Sequence, residues 1–422
     1  MMHVVHVVQL YHPVTSGSVR YFVELADRLV AAGHRVTVLT TTAGELEAFW
    51  LPGKREYPAG TDVYRGTTIV RCSIRRWSPH PLVYPVLRRL ILELGRVGAP
   101  VRLLRWLSAA TPAAPDIAGW IHQHAAAIDL IHVTNVTLDG LIHPVLTVAA
   151  AAQIPVVATP FIHLGVDGDT SLVRYYRMPQ QLDVLRQSRA VFTMTDRERD
   201  FLVQQGISPA AITTTGAGVT PADVTGGDAL RFRTAQHIDG PIVLQIGAMA
   251  RDKGTFTTIA AMQRLWAAGS PATLVLIGAP LDHFSHAYAT LPAADRARIR
   301  LLSHASDDDK RDALAAASLL TLPSRTDSFG IVFLEAWCNH IPVIGAAAGG
   351  IPAVISDGVD GILVPYGDVG ALAHAIERLL ADPGTAALYA AAGAQKVADH
   401  YTWDAIGARM VPVCVAAAHC DD

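Results

Sequence analysis

Asp327 and Glu335 stand eight residues apart, the first in a loop behind the apolar run 319–322 and the second on the helical pattern that follows. The apolar run reads as a buried strand. The loop therefore lies at the C-terminal end of a strand and at the start of a helix, the edge where open α/β sheets bind ligands. Free N–H groups and the dipole at a helix start favour an anion. Two carboxylates beside it offer acceptors to hydroxyls, and a sugar joined to a diphosphate combines those groups. A second loop repeats the theme. The buried run 242–246 and Gly247 lead into Arg251 and Lys253, ahead of a helical pattern over 255–268. Two cations two residues apart suit a diphosphate. The chain holds four lysines against thirty arginines, so a lysine at this place is informative. Two plainer readings compete: surface charges on a solvated loop for Arg251 and Lys253, and a cap on the following helix for Asp327.

The elements that must position these residues fall into two α/β halves. A chain of 422 residues exceeds one ordinary core and suits two domains. In the first half a strand over 3–10, a loop around Gly17, a helix over 19–32 and a strand over 35–41 form a βαβ unit. Further strands are expected at 67–72, 130–133, 156–159 and 190–194. The second half alternates strands at 242–246, 273–277, 299–302, 319–322, 343–344 and 361–364 with helices or loops. Residues 220–228 have the composition of a linker. Neither half carries the three glycines of a dinucleotide fingerprint or the GxxxxGKS/T phosphate loop, which disfavours a nicotinamide dehydrogenase or a nucleoside triphosphatase. A net charge of −3 gives no field for nucleic acid. The four scattered cysteines, Cys72, Cys338, Cys414 and Cys420, read as reduced thiols of a cytoplasmic protein. Residues 1–10 lack a basic leader, and prolines interrupt the longest uncharged stretch, 140–166, so neither a signal peptide nor a membrane-spanning helix is expected.

Further segments complete a pattern. Gly247 with Arg251-Asp252-Lys253-Gly254, then Asp327 and Glu335, then Gly349-Gly350-Ile351-Pro352 and Asp357-Gly358-Val359-Asp360-Gly361 resemble glycosyltransferase family 4 in order and spacing. Ser16-Gly17-Ser18 and Gly216-Ala217-Gly218-Val219 look like the family's first loop and its domain-closing loop. The resemblance covers nearly the whole chain. It implies an α/β protein of the GT-B fold: two Rossmann-like domains facing each other across a cleft, here over 1–218 and 219–400, and a C-terminal helix over 401–422 that crosses back to the first. It also implies retaining transfer of a hexosyl unit from a UDP- or GDP-sugar, with no metal cofactor.

By the same resemblance Arg251 and Lys253 hold the donor diphosphate, with Gly247 beside them. Asp327 contacts the transferred sugar and Glu335 accepts from the nucleotide ribose. Ser328, Phe329 and Gly330 run beside the sugar, and Ile331 and Val332 open the phosphate-binding helix. Gly17 lets the first loop approach the donor. Three departures stand out. Ser16 replaces a second glycine, and Asp327 replaces a glutamate one methylene longer. The family's histidine, two residues beyond a strand-end threonine, falls on Phe161 when counted from Thr159. His163, two further on, is the candidate for the reaction centre, against the alternative of a hydrogen-bonded core histidine.

Breaking the anomeric bond leaves a nucleoside diphosphate whose growing charge Arg251, Lys253 and the helix start would stabilise. A histidine or the donor phosphate would take the acceptor's proton. For the acceptor side the informative stretch is 54–105, with eleven basic and three acidic side chains interleaved with Trp77, Tyr84, Leu87, Leu90, Leu92, Leu103 and Trp106. It suggests peripheral contact with an anionic membrane or an anionic acceptor, against the plainer reading of an arginine-rich solvent face. Lipid-linked and small-metabolite acceptors both stay open. So do two other functions: a sugar phosphorylase or isomerase of the same fold, and a non-catalytic binding or scaffold protein.

Overall fold

The computed structural model of the chain describes residues 1–77, 80, 82–110 and 112–419. Cys420 and residues 78, 79 and 81 of the arginine-rich stretch lie outside the described residues. The chain divides into two compact units. The first comprises Met1–Ile162, Ser171–Thr215 and the chain from Ile406 onward; the second comprises His163–Thr170 and Gly216–Ala405. The switch at 215/216 falls three residues before the expected boundary. The short piece His163–Thr170, expected in the first domain, clusters with the second.

The first unit holds β1 (His3–Val7), β2 (Arg35–Thr41), β3 (Gly60–Tyr64), β4 (Thr67–Cys72), β5 (Leu130–Thr134), β6 (Val156–Thr159), β7 (Ala190–Thr193) and β8 (Ile212–Thr214). They form one sheet in the order β3-β4-β2-β1-β5-β6-β7-β8. All neighbours are parallel except β3 and β4. The second unit holds β9 (Ile242–Ile246), β10 (Thr273–Ile277), β11 (Ile299–Leu302), β12 (Leu319–Leu322), β13 (Val343–Ala346) and β14 (Ile362–Val364). Its sheet is parallel throughout, in the order β11-β10-β9-β12-β13-β14. Helices cover such sheets on both faces, so their strands read as unbroken apolar runs rather than alternating ones. Seven helices matter below: α1 (Gly17–Ala31), α2 (Val83–Arg96), α3 (Val101–Ser108), α4 (Thr255–Ala267), α5 (Asp307–Ala316), α6 (Ile331–Cys338) and α7 (Trp403–His419).

Local sequence explains the entry into α1. The Ser16 hydroxyl accepts from the Val19 N–H at 3.3 Å, a standard N-cap. The serine that stands in place of a family glycine thus fixes the helix start. Phe22, Leu25, Ala26 and Leu29 then recur at helical spacing and are buried. From Ile406 onward α7 belongs to the same unit; Ile406, Met410 and Cys414 on it are buried, and Met410 Sδ accepts from the Tyr21 hydroxyl at 3.0 Å.

The linker reading of 220–228 is corrected. Residues Pro221–Val224 form a helical turn. A Cβ on Gly227 would lie 2.1 Å from the Arg311 carbonyl oxygen, so backbone packs on backbone there. The Asp228 side chain caps the next helix, and Arg231 pairs with Asp312 at 2.6 Å. The segment is polar because it caps and packs, not because it hangs free. Among the described residues no helix is long and apolar enough to cross a membrane, and Cys72, Cys338 and Cys414 are free thiols.

The centre of the first sheet carries a titratable pair. His6 is wholly buried, edge-on to Phe22 at 5.3 Å and to His132 at 5.2 Å. Burial pushes the His6 imidazole down to about 3 and holds His132 well below its ordinary value. Between about 6.5 and 3 the unfolded chain therefore binds protons at these rings that the folded chain does not, and stability falls as pH falls through that window. Burial has the opposite sign at Glu198, pushed up to about 7, and Asp139, pushed up to about 6. A single-site variant separates the contributions. His6→Phe keeps a ring and removes the proton site, so its stability relative to the wild type should rise by roughly 2 kcal/mol between pH 8 and pH 5. Urea titrations at both pH values test this; a difference that does not change with pH refutes it.

Candidate active site

β9 and β12 lie side by side in the second sheet, Leu320 opposite Leu244. The strand order reverses there: β10 and β11 continue to one side, β13 and β14 to the other. The loops leaving β9 and β12 are the two singled out from the sequence, so they meet at the topological switch point, where such sheets bind ligands.

Backbone contacts stitch these loops together. The Arg325 N–H and the Ser324 hydroxyl both donate to the Asp252 carbonyl oxygen, at 3.0 and 3.2 Å. The Arg325 guanidinium pairs with the Asp252 carboxylate at 2.8 Å. Gly254 is in the left-handed region at φ 74°, and a Cβ there would lie 2.2 Å from the Pro323 carbonyl oxygen. Only glycine meets both conditions. Behind the second loop, Gly350 donates to the Asp327 carbonyl oxygen at 2.8 Å, and a Cβ on it would lie 1.9 Å from the Ser328 carbonyl oxygen. The Gly349-Gly350 motif is therefore the backing plate of the Asp327 loop.

This framework sets Lys253 Nζ 2.9 Å from Asp327 Oδ2, both side chains largely buried. Burial alone would lift the Asp327 carboxyl. The Lys253 charge and hydrogen bonds from Ser324 and Lys253 outweigh it and hold the carboxyl below its ordinary value. The capping alternative for Asp327 is overturned: Gly330 is the N-cap of α6, without any side-chain cap, and the carboxylate is turned to Lys253 instead. Arg251 is exposed and lies over the Phe256 ring at 5.0 Å. Its carbonyl oxygen accepts from Tyr366 at 3.0 Å, and its N–H donates to His283 at 3.2 Å. Gly247 directly follows β9, and its N–H donates to the Ile277 carbonyl oxygen at 2.8 Å. Phe329 is buried edge-on to Tyr401 at 5.3 Å. Ser328 and Gly330 complete the turn, and Ile331 and Val332 form the first turn of α6, whose N–H groups have no partner within the helix.

His163 belongs to this cluster. Its Nδ1 hydrogen-bonds the Thr326 carbonyl oxygen. A carbonyl only accepts, so Nδ1 carries the proton and Nε2 the lone pair. Burial, and then the charge of Lys253, holds the imidazole below its ordinary value, so it is neutral at pH 7. The segment that carries it is fastened by Gly349, whose N–H donates to the Gly165 carbonyl oxygen at 2.7 Å, and by Asp169, 3.8 Å from Arg325. Of the expected site residues, eleven thus lie around one switch point. Gly17 lies in the other unit, as the first residue of α1.

Sequence reasoning missed Lys310. It stands on α5 with Nζ 2.6 Å from the Glu335 carboxylate, which is buried in the second turn of α6. It also missed the Arg325–Asp252 tie. A signal for Lys310 existed. Of four lysines, three pair with buried or half-buried carboxylates: Lys253 with Asp327, Lys310 with Glu335, and Lys396 with Asp360. In a chain that otherwise uses arginine, the surviving lysines mark confined sites that take a compact point charge.

Two family models match the chain: glycosyl transferase 4-like domain over residues 16–218 and glycosyl transferases group 1 over residues 240–382. The chain belongs to the family 4 glycosyltransferases, a family of enzymes, and has the GT-B fold. It is 33% identical over 201 residues to a D-inositol 3-phosphate glycosyltransferase of Xylanimonas cellulosilytica, a match covering 47% of each chain. The alignment thus spans about half the length of that relative. A glycogen synthase of Mycobacterium tuberculosis is 26% identical over 424 residues, covering 96% of this chain and 93% of that protein. Among solved structures, Anabaena HepE in complex with UDP and glucose superposes with a TM-score of 0.73 at 16% identity, covering 99% of this chain and all of that one.

Proposed function

We propose that this protein transfers a hexosyl unit, with retention of configuration, from a UDP- or GDP-sugar to a hydroxyl acceptor. The observation that carries the reading is the Lys253–Asp327 pair at the switch point, with Arg251 two residues before Lys253 and Glu335 in the second turn of the helix that follows. In this reading Arg251, Lys253 and the first turn of α6 take the diphosphate. Asp327 holds a sugar hydroxyl, and Glu335 accepts from the ribose. The cations and the helix start stabilise the leaving diphosphate as its charge grows, so no resident metal is required. Retention brings the acceptor to the face the diphosphate leaves. The departing phosphate oxygen and neutral His163 are the two groups that can take its proton. The name of the D-inositol 3-phosphate glycosyltransferase relative favours a small acceptor bearing phosphate, with D-inositol 3-phosphate the first to assay.

Asp327 and Glu335 should respond differently to neutralisation. Asp327→Asn is expected to lower turnover at least about tenfold while UDP or GDP binds nearly as well. Glu335→Gln is expected to weaken the nucleotide itself, because an amide cannot match a carboxylate's charge-assisted bonds to two hydroxyls. Calorimetric nucleotide titration together with donor hydrolysis, run with and without chelator, tests both roles. Equal loss of nucleotide affinity in the two variants would overturn the division, and loss of activity in chelator would overturn the metal-free reading.

A further inference from the structure

The first unit carries an exposed face that donor chemistry does not use. Fifteen large apolar side chains stand exposed among the described residues, and seven of them lie between positions 77 and 106. Four, Leu82, Val86, Leu90 and Val97, fall on one side of α2, spaced four, four and seven residues apart. Tyr84, Leu87, Ile91 and Leu92 are buried on the opposite side. α3 repeats the division, with Leu103 and Trp106 outward and Leu104 and Ser108 inward. Such clustering is unusual on a surface where single exposed apolar residues are the norm.

The arginines sort by side as well, which corrects the composition-based reading of the stretch. Arg71, Arg76, Arg88 and Arg105 serve the fold: Arg71 donates to His12, Arg76 to Ala48, Arg88 to Thr137, and Arg105 pairs with Asp183. Arg75, Arg89, Arg96 and Arg102 are exposed. Arg89 and Arg96 share one carboxylate, Glu93, at 2.9 and 3.0 Å. Arg75 and Arg102 have no ion pair among the described residues. The outward face of the two helices therefore presents three cations, Arg89, Arg96 and Arg102, against one anion amid apolar side chains, and Arg75 adds a fourth at the cleft beside Trp106. Between Trp77 and Trp106 opens a cleft of about 360 Å³, lined also by Leu87 and Leu107, with Arg75 its one charged lining residue among those described.

We infer that the outward face of α2 and α3 is a docking surface for an anionic phospholipid bilayer. The leucines, valines and tryptophans enter the headgroup–acyl boundary, an acyl chain or headgroup carbon occupies the cleft, and the four arginines meet lipid phosphate. Amphipathic helices that lie in the interface have this composition, and cation attraction to an anionic leaflet is screened by salt.

The test is sedimentation of the full chain with vesicles of phosphatidylglycerol and phosphatidylcholine, and with phosphatidylcholine alone, at low and high salt. The wild type should pellet with the anionic vesicles at low salt, with bound fraction falling as salt rises. Arg89→Glu with Arg102→Glu should weaken binding by about tenfold or more, and Leu90→Glu with Leu103→Glu should abolish it. Both double variants should keep the wild-type melting temperature and donor hydrolysis. A protein that stays in the supernatant with anionic vesicles at low salt overturns the inference. So does equal binding to neutral vesicles, or wild-type binding by either double variant. A dimer in solution that Leu90→Glu with Leu103→Glu dissolves would instead assign the face to a second copy of the chain. Sedimentation does not depend on the donor site, so failure here leaves the transfer reading standing, and the reverse holds.

Discussion

Turnover of the Lys253→Ala variant is expected to fall by about 10²- to 10³-fold, the loss seen when one preorganised charge stabiliser is taken from a transition state. The ammonium is held 2.9 Å from Asp327, in the loop that the proposed reading assigns to the diphosphate. Arg251→Ala should lose activity on the same scale, because His283 and Tyr366 fix the Arg251 backbone and the Phe256 ring lies under its exposed guanidinium. The two variants differ in one respect. Removing Lys253 also takes away the charge that most offsets burial at Asp327 and leaves the Ser324 hydrogen bond, so the Asp327 carboxyl should rise from its depressed position. In the wild type the depressed carboxyl stays ionised, and its contribution is lost only as pH falls below the ordinary carboxylate range. In Lys253→Ala the acid limb of the rate profile should move to higher pH; in Arg251→Ala it should stay. Wild-type turnover in either variant would remove these cations from the mechanism. An unshifted acid limb in Lys253→Ala would mean that the pair does not govern Asp327.

The second large effect concerns stability. Lys310→Met leaves the Glu335 carboxylate buried beside a thioether. Breaking a buried pair from one side costs about 3–5 kcal/mol; the low end applies, since the ammonium is about a quarter exposed. Lys310→Met together with Glu335→Gln should recover most of that loss, because the double variant leaves no buried charge. Nucleotide affinity should not recover, since both the carboxylate and its positioning cation are gone. Urea midpoints for the single and double variants, set beside nucleotide titrations, separate the two outcomes. A Lys310→Met protein as stable as the wild type would show that Glu335 does not depend on this ammonium. Recovery of both stability and affinity in the double variant would take Glu335 out of the ribose site.

The second sheet was readable from the chain because each of its strands is an apolar run flanked by turn residues, with boundaries off by two residues at most. Two strands of the first sheet were not. β3, Gly-Thr-Asp-Val-Tyr, is an exposed antiparallel edge with almost no buried side chain. β8 has three residues, two of them threonine. Neither carries the hydrophobic signal that burial on two faces imposes. The two site loops were legible because their acids, cations and glycines are local in sequence. The ties between them were not. Arg325 meets Asp252 across 73 residues, and nothing near either residue announces the other. The arginines of 54–105 show a different limit. Composition marked the stretch, but only the helical register of α2 separates Arg88, beside Leu87 on the buried side, from Arg89 facing out.

α7 closes the first unit although it is the last helix of the described chain, with Gly216–Ala405 between its residues from Ile406 onward and the strands they join. During synthesis the order of completion is therefore inverted. The second unit has its full sequence in hand as soon as Ala405 has been made. The first, whose strands precede it, waits with the pocket for Ile406, Met410 and Cys414 uncovered until α7 emerges. Domains usually mature from the N-terminus as they leave the ribosome. Here the nascent first unit stays open while Gly216–Ala405 is made, and a stop codon between Ile406 and Cys414 would damage a unit whose strands were made long before.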